Sequence, residues 1–172
     1  MDSNTIKTIE CRRLWKEVFG DSDEFITSFI KSFYSEENML CIERDSRVVS
    51  MLHVVPFELD GKKVAYIYAV ATDADARGQG LATKLIRQAI EKTKAEGYKA
   101  VFTLPADEGL REFYSRFGFK GRYAVKFETK EDFDFGTGDS EKDYVMMLSL
   151  ENGFAVTEEE IILKKDRQNL SF

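Results

Sequence analysis

The sequence predicts a mixed α/β (α+β) fold, a central mixed sheet flanked by helices, and three observations carry that prediction. Apolar residues recur with helical period between Cys11 and Phe33. Three consecutive segments rich in β-branched and aromatic residues follow, and the rest of the chain alternates helical and strand-like patterns.

The elements follow in order. Cys11, Leu14, Trp15, Val18 and Phe19 form one face of a first helix, which Gly20 can end in the left-handed conformation. Asp21 or Ser22 can cap a second helix, whose stripe is Phe25, Ile26, Phe29, Ile30 and Phe33. At this spacing the phenylalanines read as a core face ahead of a ligand-binding aromatic box. Segments 39–43, 47–57 and 63–71, separated by turn signals at Asp45-Ser46 and Asp60-Gly61, read as an antiparallel meander. Leu81, Leu85, Ile86, Ala89 and Ile90 line a helix that should end at Gly97. A buried strand over 100–104 stops at Pro105, and Leu110, Phe113, Tyr114 and Phe117 mark a helix stopped by Gly118. Two strands, 123–128 and 144–150, are joined by the polar segment 130–142, which is expected to be mobile. Thr157 and Glu160 form a capping box for a helix through Arg167, which would pack on the domain or on a second copy of the chain.

Composition narrows the function. With 172 residues, 43% of them hydrophobic, the chain suits a single domain over 1–172, of which 151–172 reads as a C-terminal extension. Twenty-five basic against thirty-one acidic side chains leave a net charge of −6, which argues against nucleic acid and anionic membranes as partners and favours a cationic substrate. The polar start and the lack of a bilayer-length apolar stretch predict a cytoplasmic protein. Cys11 and Cys41 have no metal-ligand spacing and read as buried free thiols. A single histidine, His53, excludes a His-rich metal site, and no metal is expected.

The chemistry concentrates in the stretch RGQGLATKL, residues 77–85. A helix N-terminus exposes unpaired N–H groups and the positive end of the helix dipole, and Gly78, Gly80 and Ala82 would let a phosphate approach them. The dipole contributes about 0.3 to 1 kcal/mol and each hydrogen bond to a charged group roughly 1.5 to 3 kcal/mol, so several amides on one pyrophosphate would dominate affinity. A ligand-free strand-to-helix turn is the competing reading. The dinucleotide fingerprint fails because Thr83 stands where Gly or Ala is needed, and the Gly-Lys-Ser/Thr triplet of a P-loop is absent.

Arg77-Gly78-Gln79-Gly80-Leu81-Ala82 resembles the Q/RxxGxG/A signature of the GCN5-related N-acetyltransferases, the GNAT superfamily. YAVAT, from Tyr68 to Thr72, is similar to that family's strand before the loop, and LREFYSRFGF, from Leu110 to Phe119, to its later helix with the Tyr-x-x-x-Gly-Phe ending. The N-terminal helices resemble those that some members place over the acceptor site. The resemblance implies a GNAT-like acyl-CoA N-acyltransferase fold with acetyl-CoA as cosubstrate. Its pyrophosphate would lie at Arg77, Gly78, Gln79, Gly80, Leu81, Ala82 and Thr83, and its pantetheine arm along Val70, Ala71 and Thr72, where an extended amide can pair with a free strand edge. Tyr114 would protonate the departing thiolate; a phenol with an ordinary pKa near 10 carries a proton at pH 7. The competing reading leaves Tyr114 in the core beside Phe113 and Phe117.

The reaction implied is transfer of an acetyl group to a primary amine of a small molecule or peptide. The alternative is a non-catalytic acyl-CoA-binding or interaction module of the same fold. Deprotonating a lysine-like amine at pH 7 costs about 4 to 5 kcal/mol, and His53, Glu58, Asp73 or water are the candidate acceptors of that proton. His53 reads more readily as a core or surface residue. Two positions depart from the family pattern: Asp107 replaces an asparagine and is not assigned to binding, and Ala74 replaces a common proline.

Overall fold

A computed structural model describes residues 3–129, 133–136 and 143–165. Among them, four α-helices and seven strands follow in the order α1 (Ser3–Phe19), α2 (Asp23–Ser32), β1 (Met39–Arg44), β2 (Arg47–Leu59), β3 (Lys62–Thr72), α3 (Leu81–Ala95), β4 (Ala100–Thr103), α4 (Glu108–Ser115), β5 (Lys120–Glu128), β6 (Tyr144–Ser149) and β7 (Glu160–Lys165). Hydrogen-bonded neighbours run β1-β2-β3-β4-β6-β5-β7 in a mixed sheet.

The chain forms two compact units, one of Met1–Val55 with Tyr68–Ala89 and one of Pro56–Ile67 with Ile90–Phe172. In the first unit, α1 buries Cys11, Leu14 and Trp15, and α2 buries Ile26 and Phe29. The helix α1 starts well before Cys11, and its early Ile6 and Ile9 stay 42% and 51% exposed, so no apolar stripe announces that end. Ser22 caps α2 by accepting from the Phe25 amide at 3.1 Å. β1 and β2 pair antiparallel from Met39↔His53 to Arg44↔Arg47. Asp45 and Ser46 both have positive φ, 52° and 65°, as a two-residue turn of the primed type requires.

In the second unit, β3 runs parallel to β4 from Ala65↔Val101 to Ile67↔Thr103. The strand β6 lies antiparallel to both β4 and β5, and β5 runs parallel to β7. Phe57↔Lys165 and Glu58↔Lys164 then pair β7 with the end of β2, so the ladder returns to β3's neighbour and this part of the sheet closes.

The structure overturns one expectation. The helix expected from Thr157 through Arg167 is replaced by β7 over its described part, while Arg167 lies outside the described residues. Ile161 and Leu163 are buried and Ile162 is 38% exposed, an alternation of period two. Hydrogen-bond partners on both sides of the strand outweigh a local capping signal. The segment 130–142, expected to be mobile, contains Phe135, which is only 2% exposed and packs on Phe57, Tyr66 and Phe127 at ring separations of 5.5, 5.7 and 5.2 Å. Residues 130–132 and 137–142 lie outside the described set.

Candidate functional site

In the first unit, the end of β3 leads into the glycine-rich stretch. Val70 and Thr72 are half-buried and Ala71 is buried. Ala69 has φ 54°, a left-handed backbone in a residue with a Cβ, which interrupts the regular pleat next to Val70. Among the described residues, the parallel register of β3 with β4 stops at Ile67. Asp73 then turns the chain: its amide donates to the Val49 carbonyl at 2.7 Å, and its carboxylate accepts from the Asp75 amide at 3.1 Å. A single 3-10 turn, Ala74–Ala76, connects to Arg77, whose Nε donates to the Thr72 carbonyl at 3.2 Å.

Gly78 and Gly80 adopt φ 77° and 74°, and no atom lies within 4 Å of where a Cβ would stand on either. The left-handed backbone explains why glycine is needed, and the open space explains how a ligand could reach the main chain. Arg77, Gly78, Gln79 and Gly80 are exposed, Leu81, Ala82 and Thr83 are half-buried, and α3 begins at Leu81. The predicted phosphate-holding residues are therefore contiguous at one helix start. Arg44, at the end of β1, reaches this stretch and donates to Gln79 Oε1 at 2.6 Å. Nothing in the motif pointed to Arg44.

In the second unit, Tyr114 lies on α4 and is 6% exposed, with Phe113 and Phe119 edge-on at 5.3 and 5.7 Å. Burial raises its phenol above the ordinary value, and a hydrogen bond with the Thr103 side chain opposes that rise. Thr103 is itself buried, at the end of β4, and it too went unnoticed in the sequence. Asp107 accepts from the Leu110 amide at 2.8 Å as the N-cap of α4, which accounts for a carboxylate at this position. Arg111 ties α4 to its unit by donating to the carbonyls of Gly121 and Tyr144 at 3.2 and 3.0 Å.

The candidate bases differ sharply. His53 is 2% exposed between Trp15 and Phe29, and burial pushes its pKa down to about 3. Its Nε2 lies 3.5 Å from Cys11 Sγ. It is a core histidine that burial keeps neutral. Asp73 sits 3.7 Å from both Arg13 and Arg47, so its carboxylate is engaged in an ionic bracket between α1 and β2. Glu58 is half-buried on β2, opposite Lys164. Of the two cysteines, Cys11 is buried, and burial raises its thiol to about 12, away from the thiolate form. Cys41 is only half-buried, and both are free.

The profile of the acetyltransferase (GNAT) domain matches residues 4–121, more than half of the chain. The chain belongs to the GNAT acetyltransferase family. An uncharacterized N-acetyltransferase of Methanocaldococcus jannaschii is 37% identical over 70 residues, covering 40% of this chain and 31% of that protein. The uncharacterized N-acetyltransferase YhbS of Escherichia coli is 30% identical over 84 residues, 48% of each chain. The matched stretch thus spans about a third to a half of these relatives. The crystal structure of YhbS in complex with CoA superposes with a TM-score of 0.62 at 20% identity, covering 100% of this chain and 90% of that one. A GNAT acetyltransferase of Brucella melitensis in complex with acetyl-CoA gives 0.61 at 17% identity, covering 94% and 90%. At these identities the likeness establishes the fold, a mixed sheet with flanking helices. Among the described residues of this GNAT chain, no helix is long and apolar enough to cross a membrane.

Proposed function

We propose that this chain transfers the acetyl group of acetyl-CoA to a primary amine of a small molecule or peptide. The observation that carries the reading is the pair of left-handed glycines, Gly78 and Gly80, with open space at both, at the start of α3. Backbone N–H groups of 77–83 would hold the pyrophosphate, and the Val70–Thr72 backbone would pair with the pantetheine amides. Family membership and CoA-bound relatives of the same fold support acetyl-CoA as the cosubstrate.

In the reaction, the amine lone pair forms a C–N bond to the thioester carbonyl carbon, the C–S bond breaks, and the thiolate takes a proton. Tyr114 is our choice for that proton, since a phenol is protonated at neutral pH and burial raises its pKa further. A cationic amine first gives one proton to water or Glu58, and the second proton, released from nitrogen on acylation, returns through water to the Tyr114 phenolate. The net charge of −6 favours a cationic acceptor, and a second copy of the chain is the macromolecular partner we retain.

The burial of Tyr114 at 6% exposure also suits the second reading, an acyl-CoA-binding module without turnover. Release of free CoA thiol from acetyl-CoA over a panel of primary amines separates the two. Thiol release that depends on an amine is the expected result. Calorimetric binding of acetyl-CoA with no release over the panel would establish the module instead.

A further inference from the structure

We infer that Arg44, on the β1–β2 hairpin, is a phosphate-binding residue of this chain, placed at the glycine-rich stretch by its hydrogen bond to Gln79. The inference rests on the reading of 77–83 as the seat of CoA phosphates and adds a residue outside that motif.

Arg44 and Arg47 face each other directly across a two-residue turn. Like charges in that position destabilise a hairpin unless each is compensated. Arg47 is compensated by Asp73 at 3.7 Å. Arg44 has no ion pair among the described residues; its one side-chain hydrogen bond there goes to the neutral Gln79 Oε1 at 2.6 Å. A guanidinium has five N–H donors in a planar fork matched to phosphate oxygens, so this contact orients the group while leaving most donors available. Gln79 stands between the two left-handed glycines, which puts the oriented cation beside the open space over the main chain. The motif's own arginine is used differently. Arg77 turns its Nε back to the Thr72 carbonyl at 3.2 Å and secures the end of β3.

The anion that fits is a phosphate of coenzyme A, either the pyrophosphate or the 3′-phosphate. The test is calorimetric titration of wild type, Arg44→Gln, Arg44→Lys and Gly80→Glu with acetyl-CoA and with 3′-dephospho-acetyl-CoA, at low and high salt. Arg44→Gln should weaken acetyl-CoA binding roughly tenfold, the scale of one charge-assisted hydrogen bond, and flatten its salt dependence, while Arg44→Lys retains part of both. A loss confined to acetyl-CoA assigns the 3′-phosphate, and an equal loss with both ligands assigns the pyrophosphate. Either result supports the inference. Wild-type affinity and wild-type salt dependence in Arg44→Gln, with binding still lost in Gly80→Glu, would overturn it and leave the reading of the glycines standing. If wild type itself binds neither ligand, that reading fails and the inference fails with it.

Discussion

The glycine-rich stretch 77–83 and the surroundings of Tyr114 are built on opposite principles. At the first, side chains are withdrawn: two glycines hold left-handed backbone, the space over them is open, and Gln79 is secured from outside by Arg44. At the second, side chains do everything: Tyr114 is 6% exposed, enclosed by Phe113 and Phe119 and hydrogen-bonded to buried Thr103. A multiply charged ligand is best held by many fixed main-chain donors, and a single proton is best held on one phenol kept neutral by burial. On the proposed function, binding and proton transfer should therefore respond to different substitutions.

The largest expected effect breaks the first region alone. Gly80→Glu should reduce acetyl-CoA affinity by more than about 100-fold in calorimetry, because it places bulk and negative charge where phosphate would lie. Next comes the second region. Tyr114→Phe should lower turnover by about 10²- to 10⁴-fold in the thiol-release assay while leaving the calorimetric affinity for acetyl-CoA nearly unchanged. Loss of acetyl-CoA affinity in Tyr114→Phe as large as its loss of turnover would erase the contrast between the regions.

His53 is a titratable group buried in the first unit, beside Trp15 and Phe29. The pKa of His53 falls from an ordinary 6.5 to about 3 in the fold, so the unfolded chain binds the extra proton first as pH drops. The stability from keeping this ring neutral is intact above about pH 6.5 and is lost progressively as pH falls toward 3. His53→Leu should flatten that part of the stability profile in urea melts across the acid range. The smallest effect is at the strand before the glycines. Ala69→Val should destabilise by about 1 to 2 kcal/mol in the same melts, because a β-branched residue fits poorly at φ 54°, whereas Ala69→Gly should be close to neutral.

Legibility followed the range of the interactions concerned. Gly78 and Gly80 could be read directly, since they stand in one contiguous motif at a helix start, where bulkier side chains would block an approaching phosphate. Cys11, Leu14, Trp15, Ile26 and Phe29 could be read from helical period and are buried, whereas Phe19, read onto the same face of the first helix, is 45% exposed. Ala69 could not, because alanine carries no sign of positive φ and its neighbours in YAVAT look like ordinary strand. Thr103 and Arg44 were invisible for a related reason: their partners, Tyr114 and Gln79, lie well away in sequence.

Sequence alone indicated the order of helices and strands up to β6, the glycine-rich helix start and the resemblance to the family. These depend on period, turn chemistry and contiguous motif, which act over a few residues. Tertiary structure alone decided that Glu160–Lys165 is a strand closing the second unit, that Phe135 is core, and that His53 is neutral. Each of these outcomes depends on what distant segments supply: a second hydrogen-bonding neighbour, an aromatic cluster, or the exclusion of water from an imidazole.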